Sequence, residues 1–339
     1  MTVFRYTTVA LLLLAAGGSA VEASDLFEDD FVLDVTLEGP YRSLLAATEN
    51  RDEFPFTLDT AAYSHEIDVR IRGNSRVSVC EFPPLRLNFP DDVDEASVFH
   101  GQDKLKLVTH CRNYDRGEQD LLEEYVAYRI FNLLSEASYR VRLLRINYRG
   151  TEGWLDVGAA SRYAFLIEPT EMLVERIGAS IAELDGMPVR RHDRELAALV
   201  YVFQYMIGNT DWGLVSPDDD DVCCHNVDLF ERDGVVLTVP FDFDLAGLVN
   251  ARYAFPDPSL RIRRVTQRRY RGICTDRAIL QQALQSVRSK RAEILEVPES
   301  VPGLSGKSAA TAQRYLQAFF ERAEAPDKLL ATFESRCIG

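Results

Sequence analysis

The chain has 339 residues, of which 46% are hydrophobic and 27% are charged. This composition supplies enough apolar surface for a substantial core and excludes a disordered chain. The 38 basic and 53 acidic residues give a formal net charge of −15. A general binder of nucleic acid or anionic membranes needs a dominant basic face, so we expect no nucleic-acid partner.

The N-terminal segment, residues 1–23, has the pattern of a secretory signal peptide. Arg5 precedes a short apolar run over residues 9–16, and small residues lead to Ala20 and Ala23, as at a cleavage site. The run is short for a transmembrane helix, although an uncleaved anchor is the alternative. We therefore expect a secreted or periplasmic protein of the bacterial envelope, with no membrane span after signal cleavage.

Export changes how the six cysteines are interpreted, because disulfides form and persist in oxidising compartments. The cysteines are residues 80, 111, 223, 224, 274 and 337. The sequence favours a bond between Cys80 and Cys111, which both lie near predicted strand ends in the first half. A second predicted bond joins Cys223 or Cys224 to Cys274.

The first half of the mature chain, residues 24–168, reads as a β-rich lobe. Alternation of apolar and polar residues predicts antiparallel strands with one solvated face. These strands are predicted over residues 31–37, 67–72, 85–89, 104–108, 141–148 and 164–167. One helix, residues 119–134, interrupts them, because its apolar residues recur at helical spacing.

The second half, residues 169–339, reads as a mainly helical lobe. Helices are predicted over residues 194–207, 276–295, 308–323 and 326–333. A hairpin of strands 226–230 and 235–241 turns at Asp233-Gly234, a strong tight-turn signal. The sequence thus predicts an α+β protein with two lobes, a sheet-rich one followed by a helical one.

Three polar residues around this hairpin suggest chemistry. Asp211 follows the helix 194–207, Asn226 begins the hairpin, and Asp242 follows its second strand. A hairpin brings its two ends together, so Asn226 and Asp242 should be neighbours. Phosphoryl transfer uses a carboxylate to orient the acceptor hydroxyl, and an amide with a carboxylate to hold Mg²⁺. The alternative is that these residues form ordinary solvated turns.

Four short motifs in this order resemble the CotH family of spore-coat kinases, atypical members of the protein-kinase-like superfamily. They are Arg-Gly-Asn-Ser at 72–75, Gly-Asn-Thr-Asp at 208–211, His-Asn at 225–226 and Pro-Phe-Asp-Phe-Asp at 240–244. The resemblance spans about residues 28–275. It implies a two-lobed kinase fold that binds ATP and Mg²⁺, or Mn²⁺, between the lobes and phosphorylates a Ser/Thr-bearing protein or peptide.

The resemblance also implies roles for individual residues. Asp211 would be the catalytic Asp, whereas Asn226 and Asp242 would hold the metal, with Asp244 as the rival of Asp242. The loop of Arg72, Gly73, Asn74 and Ser75 would cover the phosphates, although an ordinary hairpin turn is the alternative.

The cation that contacts the phosphates is left open by the sequence. Lys104 and Lys106 are the only lysines before residue 290, and they share one face of a strand. Arg86 could substitute, since it stands in the strand where the family tends to carry Lys. Two solvent-facing lysines are the alternative. A glutamate of the helix, Glu124 or its neighbour Glu123, would pair with this cation.

One segment departs from the kinase pattern. Residues 212–225 separate Asp211 from Asn226, whereas protein kinases place four residues there. This insertion, which contains Asp218–Asp221 and two cysteines, reads as a solvated loop pinned by a disulfide or as a calcium-binding loop.

A basic strip, residues 261–271, has six arginines and no acid, and the resemblance places it roughly at the activation and substrate-binding elements of a kinase. Arginine forks suit an acidic or phosphate-bearing acceptor, and ion pairs with the chain's own carboxylates are the alternative. Since ATP is scarce outside the cytoplasm, the competing interpretation of the whole chain is a catalytically silent kinase-fold envelope or surface binding protein.

Overall fold

The computed structural model describes residues 26–153, 161–182, 184, 191–214 and 224–339. The predicted signal peptide, the acidic run Asp218–Asp221 and Cys223 lie outside these ranges. Among the helices of the described residues, none combines the length and hydropathy needed to cross a membrane.

The chain is a mixed α+β protein in which most strands precede most helices, as the sequence predicts. The strands are β1 (Leu33–Gly39), β2 (Phe54–Asp59), β3 (Ser64–Ile71), β4 (Leu85–Asn88), β5 (Lys104–Val108), β6 (Val141–Gly150), β7 (Arg162–Ile167), β8 (Ser180–Ile181), β9 (Val227–Arg232) and β10 (Val235–Pro240). The helices are α1 (Tyr41–Ala46), α2 (Ser75–Val79), α3 (Asp115–Leu134), α4 (Thr170–Ile177), α5 (Arg194–Ile207), α6 (Arg277–Ser289), α7 (Arg291–Ser300), α8 (Gly306–Ala323) and α9 (Pro326–Glu334).

The first seven strands close into a barrel in the order β1-β2-β3-β4-β5-β7-β6. Neighbouring strands are antiparallel except β1 and β6, which pair in parallel from Leu33 opposite Leu144. Alternation along β4 and β5 buries leucines in the barrel interior and leaves Arg86, Lys104 and Lys106 on its outer face. The alternation predicted this two-faced pattern, but the parallel pair was not predicted because alternation carries no information about strand partners.

Two groups of buried side chains form the core. One fills the barrel and includes Leu85, Leu87 and Leu105. The other lies around α3, α5 and the hairpin β9–β10, and includes Phe203 and Phe243, whose rings meet edge to face. Helix α5 is almost entirely apolar and buried, so it fixes the position of the loop that follows it.

The structure corrects two features of the predicted fold. The helix predicted over residues 276–295 is two helices, α6 and α7, because Lys290 between them has non-helical angles (φ −94°, ψ 11°). The apolar periodicity continues through this bend, so the sequence pattern does not show it. Strand β2 and the short helices α1, α2 and α4 were not predicted.

The disulfides are partly as expected. The predicted bond between Cys80 and Cys111 is present, and it ties the end of α2 to the loop after β5. The second predicted pairing is wrong, because Cys274 bonds to Cys337. This bond holds the C-terminal residues against the segment before α6, a contact between distant residues that local sequence cannot reveal.

Candidate functional site

The open end of the hairpin β9–β10 places Asn226 beside Phe241 and Asp242. Pro240 pairs with Val227 at the end of the ladder, and the next bond runs from Phe241 N to Asn226 O at 3.1 Å. Asn226 and Asp242 both have left-handed backbone angles, with φ of 53° and 59°, a region in which Asn and Asp are enriched. The hairpin therefore brings together the two residues that the sequence predicted as neighbours.

Asp211 reaches this end of the hairpin from the loop after α5. The loop is shaped by Asn209, whose side-chain oxygen accepts from Asp211 N at 2.9 Å and whose carbonyl accepts from Trp212 Nε1 at 3.2 Å. Asn226 Nδ2 then donates to Asp211 Oδ2 at 3.0 Å and to Asp211 O at 2.7 Å. Asp211 and Asn226 are thus in direct contact, across the residues that separate them in the sequence.

The amide of Asn226 is oriented by these two bonds. Both partners on Asp211 accept hydrogen bonds, so the amide nitrogen must face them. The other amide atom, Asn226 Oδ1, has no hydrogen bond within the described residues and could contact a cation. Asp242, 43% of whose side chain is exposed, could supply a second oxygen. An amide oxygen with a carboxylate fits Mg²⁺, which is held by few protein ligands and completes its shell with water and phosphate.

His225 also contacts Asp211, through His225 Nε2 and Asp211 Oδ1 at 3.1 Å. This hydrogen bond is the largest of the effects that raise the pKa of His225. Beyond its place in the His-Asn motif, His225 has no predicted role. In the structure it limits the orientation of the Asp211 carboxylate.

A buried arginine that the sequence reasoning missed joins three carboxylates at the other side of Asp242. Arg76, from α2, is 8% exposed. Its Nη2 donates to Glu124 Oε2 at 2.8 Å and to Asp242 Oδ1 at 3.1 Å. Its Nε donates to Asp244 Oδ2 at 2.7 Å. We call these four residues the Arg76 cluster.

The Arg76 cluster holds one cation among three acids. Burial raises the pKa of Glu124 to about 8 and the pKa of Asp244 to about 6, and the neighbouring carboxylates add to both shifts. Arg76 opposes these shifts but cannot neutralise three carboxylates. The cluster therefore favours a proton or a second cation, and Asp242 is its most accessible acid.

Glu124 does not have the partner that the sequence predicted for it. It pairs with Arg76 rather than with Lys104, Lys106 or Arg86, while Glu123 pairs with Arg116 at 2.9 Å. Arg76, one residue beyond the Arg-Gly-Asn-Ser motif, takes the place beside Glu124 that the prediction gave to a strand cation. The sequence shows that Arg76 follows the motif directly, but it does not indicate which carboxylates this arginine contacts.

A cleft opens beside Asp242 and the segment of residues 72–76. Its polar lining comes from that segment together with Lys106, Glu124 and Asp242. The apolar lining is Pro84, Val108, Tyr128, Tyr139, Ile167 and Phe241. The four loop residues that were predicted to cover phosphates, Arg72 to Ser75, thus lie in the wall of the cleft that Asp242 also lines, and they lead into α2 rather than forming a hairpin turn.

The three candidate phosphate contacts occupy different places. Lys106 lines the cleft, where burial lowers its pKa, and its Nζ lies 5.7 Å from the centroid of the Tyr139 ring. Arg86 and Lys104 line a neighbouring groove instead. Lys104 is exposed and pairs with Asp103 at 2.9 Å. Among the three, Lys106 is therefore the one on the same cleft as Asp242.

The basic strip of residues 261–271 approaches the site from the helical side. Arg271 Nη1 donates to the carbonyl of Thr210, the residue before Asp211. Arg268 stacks on Tyr315 and donates to Met206 O at 3.0 Å. Among the described residues, none of the six arginines makes a salt bridge, so the alternative of ion pairs finds no support there. Arg261, Arg263 and Arg264 are exposed.

Comparison with known proteins gives little to add to this geometry. No model of a protein family matches this chain, and no curated protein matches it. Among solved structures, the chain is similar to the crystal structure of a Helicobacter pylori proinflammatory kinase, CtkA. The TM-score is 0.35 and the identity 12%, over 84% of this chain and 91% of that chain. A similarity at this TM-score and identity does not establish a shared fold or function.

Proposed function

We propose that this protein is an exported atypical kinase, which transfers a phosphoryl group from a nucleoside triphosphate to a Ser/Thr-bearing protein or peptide. One observation carries the proposal. Asp211, Asn226 and Asp242 meet at the open end of a single hairpin, and Asp242 borders a cleft that also contains Lys106. Phosphoryl transfer depends mainly on positioning and charge stabilisation, and this arrangement supplies both.

Asp211 is the residue that receives the acceptor hydroxyl. Its carboxylate is held by Asn226 and His225, so it presents a fixed acceptor to the proton of an incoming hydroxyl. Asn226 Oδ1 and Asp242 would hold Mg²⁺ or Mn²⁺, which when bound neutralises charge on the nucleotide phosphates. Asp244 is a less suitable ligand, because it is buried and bonded to Arg76.

Lys106 and the loop of residues 72–75 would contact the phosphates in the cleft. Burial lowers the pKa of Lys106, and a phosphate beside it would favour the charged amine. Arg72 projects from the end of β3 into the cleft wall and has a planar fork suited to phosphate oxygens. Under this proposal the barrel half, residues 24–168, and the helical half, residues 169–339, are the two kinase lobes.

The acceptor would be an acidic or phosphate-bearing segment that binds the basic strip. Arg271 lies beside Thr210 and Asp211, and the exposed arginines of the strip continue outward from it. The predicted signal peptide and the disulfides Cys80–Cys111 and Cys274–Cys337 support a secreted or periplasmic location, where such an acceptor would be found.

A second candidate is the silent kinase-fold binding protein, and one observation favours it. Asp242 Oδ1 already accepts from Arg76, and both Asp211 Oδ1 and Oδ2 have partners in His225 and Asn226. A site whose acids are satisfied by the chain itself could keep this fold for partner recognition alone.

Transfer of labelled phosphate from [γ-³²P]ATP separates the two candidates. We would incubate the oxidised protein with Mg²⁺ and an acidic Ser/Thr-rich peptide, and compare it with Asp211→Asn. The proposal predicts label on the peptide and a loss of about 10²- to 10⁴-fold in Asp211→Asn, the usual contribution of a residue that handles the acceptor proton. Magnesium-dependent ATP binding without any transfer would favour the silent protein.

A further inference from the structure

A second cavity, separate from Asp242, lies on the outer face of the barrel. It measures about 460 Å³ and runs from β3, β4 and β5 to the start of α4. Six cations line it, with Asp103 and Glu171 as the acids among its lining residues. The cations are Arg51, Arg70, Arg72, Arg86, Lys104 and Lys106. We call this cavity the basic groove. It lies on a protein whose net charge is −15.

The strand register sets like charges directly opposite one another in this groove. Arg70 on β3 pairs with Arg86 on β4, and Arg86 pairs with Lys106 on β5. Opposing like charges on neighbouring strands destabilise a sheet. The row of Arg70, Arg86 and Lys106 across three strands therefore destabilises the folded state.

Most of these charges are not neutralised within the described residues. Four of the six cations have no carboxylate there within salt-bridge distance, namely Arg51, Arg72, Arg86 and Lys106. Arg70 has Glu53 at 3.5 Å and Lys104 has Asp103. Burial lowers the pKa of Arg70, Arg72 and Lys106, and nearby cations lower each further, whereas carboxylates such as Glu53, Asp242 and Asp228 oppose the shifts. The row is thus both partly desolvated and self-repelling, which a multiply charged anion would relieve.

We propose that the basic groove is a binding site for a small molecule that carries a chain of two or more phosphate groups. Each arginine guanidinium can bind two phosphate oxygens. The arginines of the groove, together with Lys106, provide such donors along its length. The concave shape suits a small molecule rather than a membrane or a duplex nucleic acid. The groove extends beyond the proposed kinase site, with which it shares Arg72 and Lys106, since Arg70, Arg86 and Lys104 lie outside the cleft beside Asp242.

Two kinds of ligand carry such a chain of phosphate groups. The phosphate chain of a nucleotide could extend from the cleft into the groove, because Arg72 and Lys106 line both cavities. A separate polyphosphorylated ligand could equally occupy the groove alone. Inorganic tripolyphosphate is a suitable probe, because it has the phosphate chain and lacks a base that would require the cleft.

The test is a calorimetric titration of the full protein with tripolyphosphate, without added metal, at low and at moderate ionic strength. We expect saturable binding that weakens with salt, and a loss of about tenfold or more in Arg86→Gln, the size expected for charge-assisted hydrogen bonds. Arg261→Gln removes an exposed arginine outside the groove and should bind as the parent does. Equal losses in both variants, or no loss in Arg86→Gln, would overturn the proposal.

The thermal stability of the same variants provides a second readout. Because Arg86→Gln removes two cross-strand repulsions, its unfolding midpoint without ligand should equal or exceed that of the parent, and tripolyphosphate should raise it less. A lowered midpoint without ligand, together with an unchanged ligand-induced rise, would mean that Arg86 is structural and would overturn the proposal.

The sources are distinguished by Asp242→Asn. If this variant loses Mg²⁺-ATP but binds tripolyphosphate as the parent does, the groove is a site of its own. If Arg86→Gln weakens ATP and tripolyphosphate equally, the nucleotide chain is what occupies the groove. Failure of the kinase proposal would appear as absent Mg²⁺-ATP binding with tripolyphosphate binding intact, so the two failures differ.

Discussion

The guanidinium of Arg76 donates to the carboxylate of Glu124 across 2.8 Å and joins the short helix α2 to the buried face of α3. Both residues are buried, and the same guanidinium contacts Asp242 and Asp244. The position of Asp242 at the cleft thus depends on a residue that lies 166 positions earlier in the chain.

Replacing Arg76 with Gln should therefore destabilise the protein by about 3–5 kcal/mol, because removing one partner leaves buried carboxylates uncompensated. Urea unfolding at pH 7.5 measures this loss. Arg277→Gln is the control, since Arg277 pairs with Asp327 and Glu334 at the surface and such pairs contribute little. Similar losses in the two variants would show that the Arg76 cluster is not a structural centre.

The two lysines of β5 should differ in their effect on nucleotide binding. Lys106 borders the cleft of Asp242, whereas Lys104 is exposed and paired with Asp103. We expect Lys106→Gln to weaken Mg²⁺-ATP binding about tenfold or more, the effect of losing a charged hydrogen-bond donor, and Lys104→Gln to change it by less than about threefold, in line with an exposed charge. Fluorescence titration with a nucleotide analogue measures both. If Lys104→Gln weakened Mg²⁺-ATP binding more than Lys106→Gln, the phosphates would not bind beside Lys106 in the cleft.

Two disulfides between described residues, Cys80–Cys111 and Cys274–Cys337, offer a matched comparison. Each closes a loop, with sequence separations of 31 and 63, so removing either should cost about 3–5 kcal/mol of stability. The Cys80–Cys111 bond holds the end of α2 and thereby Arg76, whereas Cys274–Cys337 holds the C-terminus. We expect Cys80→Ala/Cys111→Ala to weaken Mg²⁺-ATP binding and Cys274→Ala/Cys337→Ala to leave it unchanged. If the two double variants weakened Mg²⁺-ATP binding equally, the position of α2 would not be needed for the binding site.

Acid should destabilise the protein through His110. This imidazole is fully buried against Phe82, with ring centroids 5.2 Å apart, and its two nitrogens have no partner among the described residues. Burial lowers its pKa to about 4. Since the unfolded state binds the proton near pH 6.5, the neutral ring stabilises the fold above that pH, and this contribution is lost as the pH falls towards 4.

His110→Phe should remove that dependence. Between pH 7.5 and pH 4.5 the free energy of unfolding should fall by about 2–3 kcal/mol less in His110→Phe than in the parent. Urea unfolding at the two values measures the difference, and His110→Leu serves as a second variant that is closer in volume. An identical pH dependence in parent and variants would mean that His110 is already protonated or exposed.

The sequence predicted local structure well and long-range contacts poorly. The bounds of β5 and α5 agree with the prediction, because both segments have regular apolar spacing. The contact of Asp211 with Asn226 could be anticipated only from motif order, and the role of Arg76 could not, since a charged side chain in a short helix has no periodic signature. The parallel pairing of β1 with β6 and the bond of Cys274 to Cys337 likewise join residues with no local signal between them.

The contacts of the basic strip, residues 261–271, also could not be predicted from the sequence. Its composition suggested anion binding or internal ion pairs, and the sequence could not choose between them. The structure places Arg268 and Arg271 against backbone carbonyls at the end of α5 and in the loop after it. Carbonyl acceptors are available in any segment, so their use by these arginines cannot be read from residue types.

The most direct test of the central claim is calorimetric titration of the oxidised protein with ATP, with and without Mg²⁺, beside Asp242→Asn and Asp327→Asn. Asp242→Asn keeps an acceptor for Arg76 but loses the charge that would hold the ion, whereas Asp327 is exposed and pairs with Arg277. We predict ATP binding that requires Mg²⁺ in the parent and in Asp327→Asn, and a loss of at least about tenfold in Asp242→Asn. Metal-independent binding, or equal affinity in Asp242→Asn and the parent, would contradict the assignment of this site.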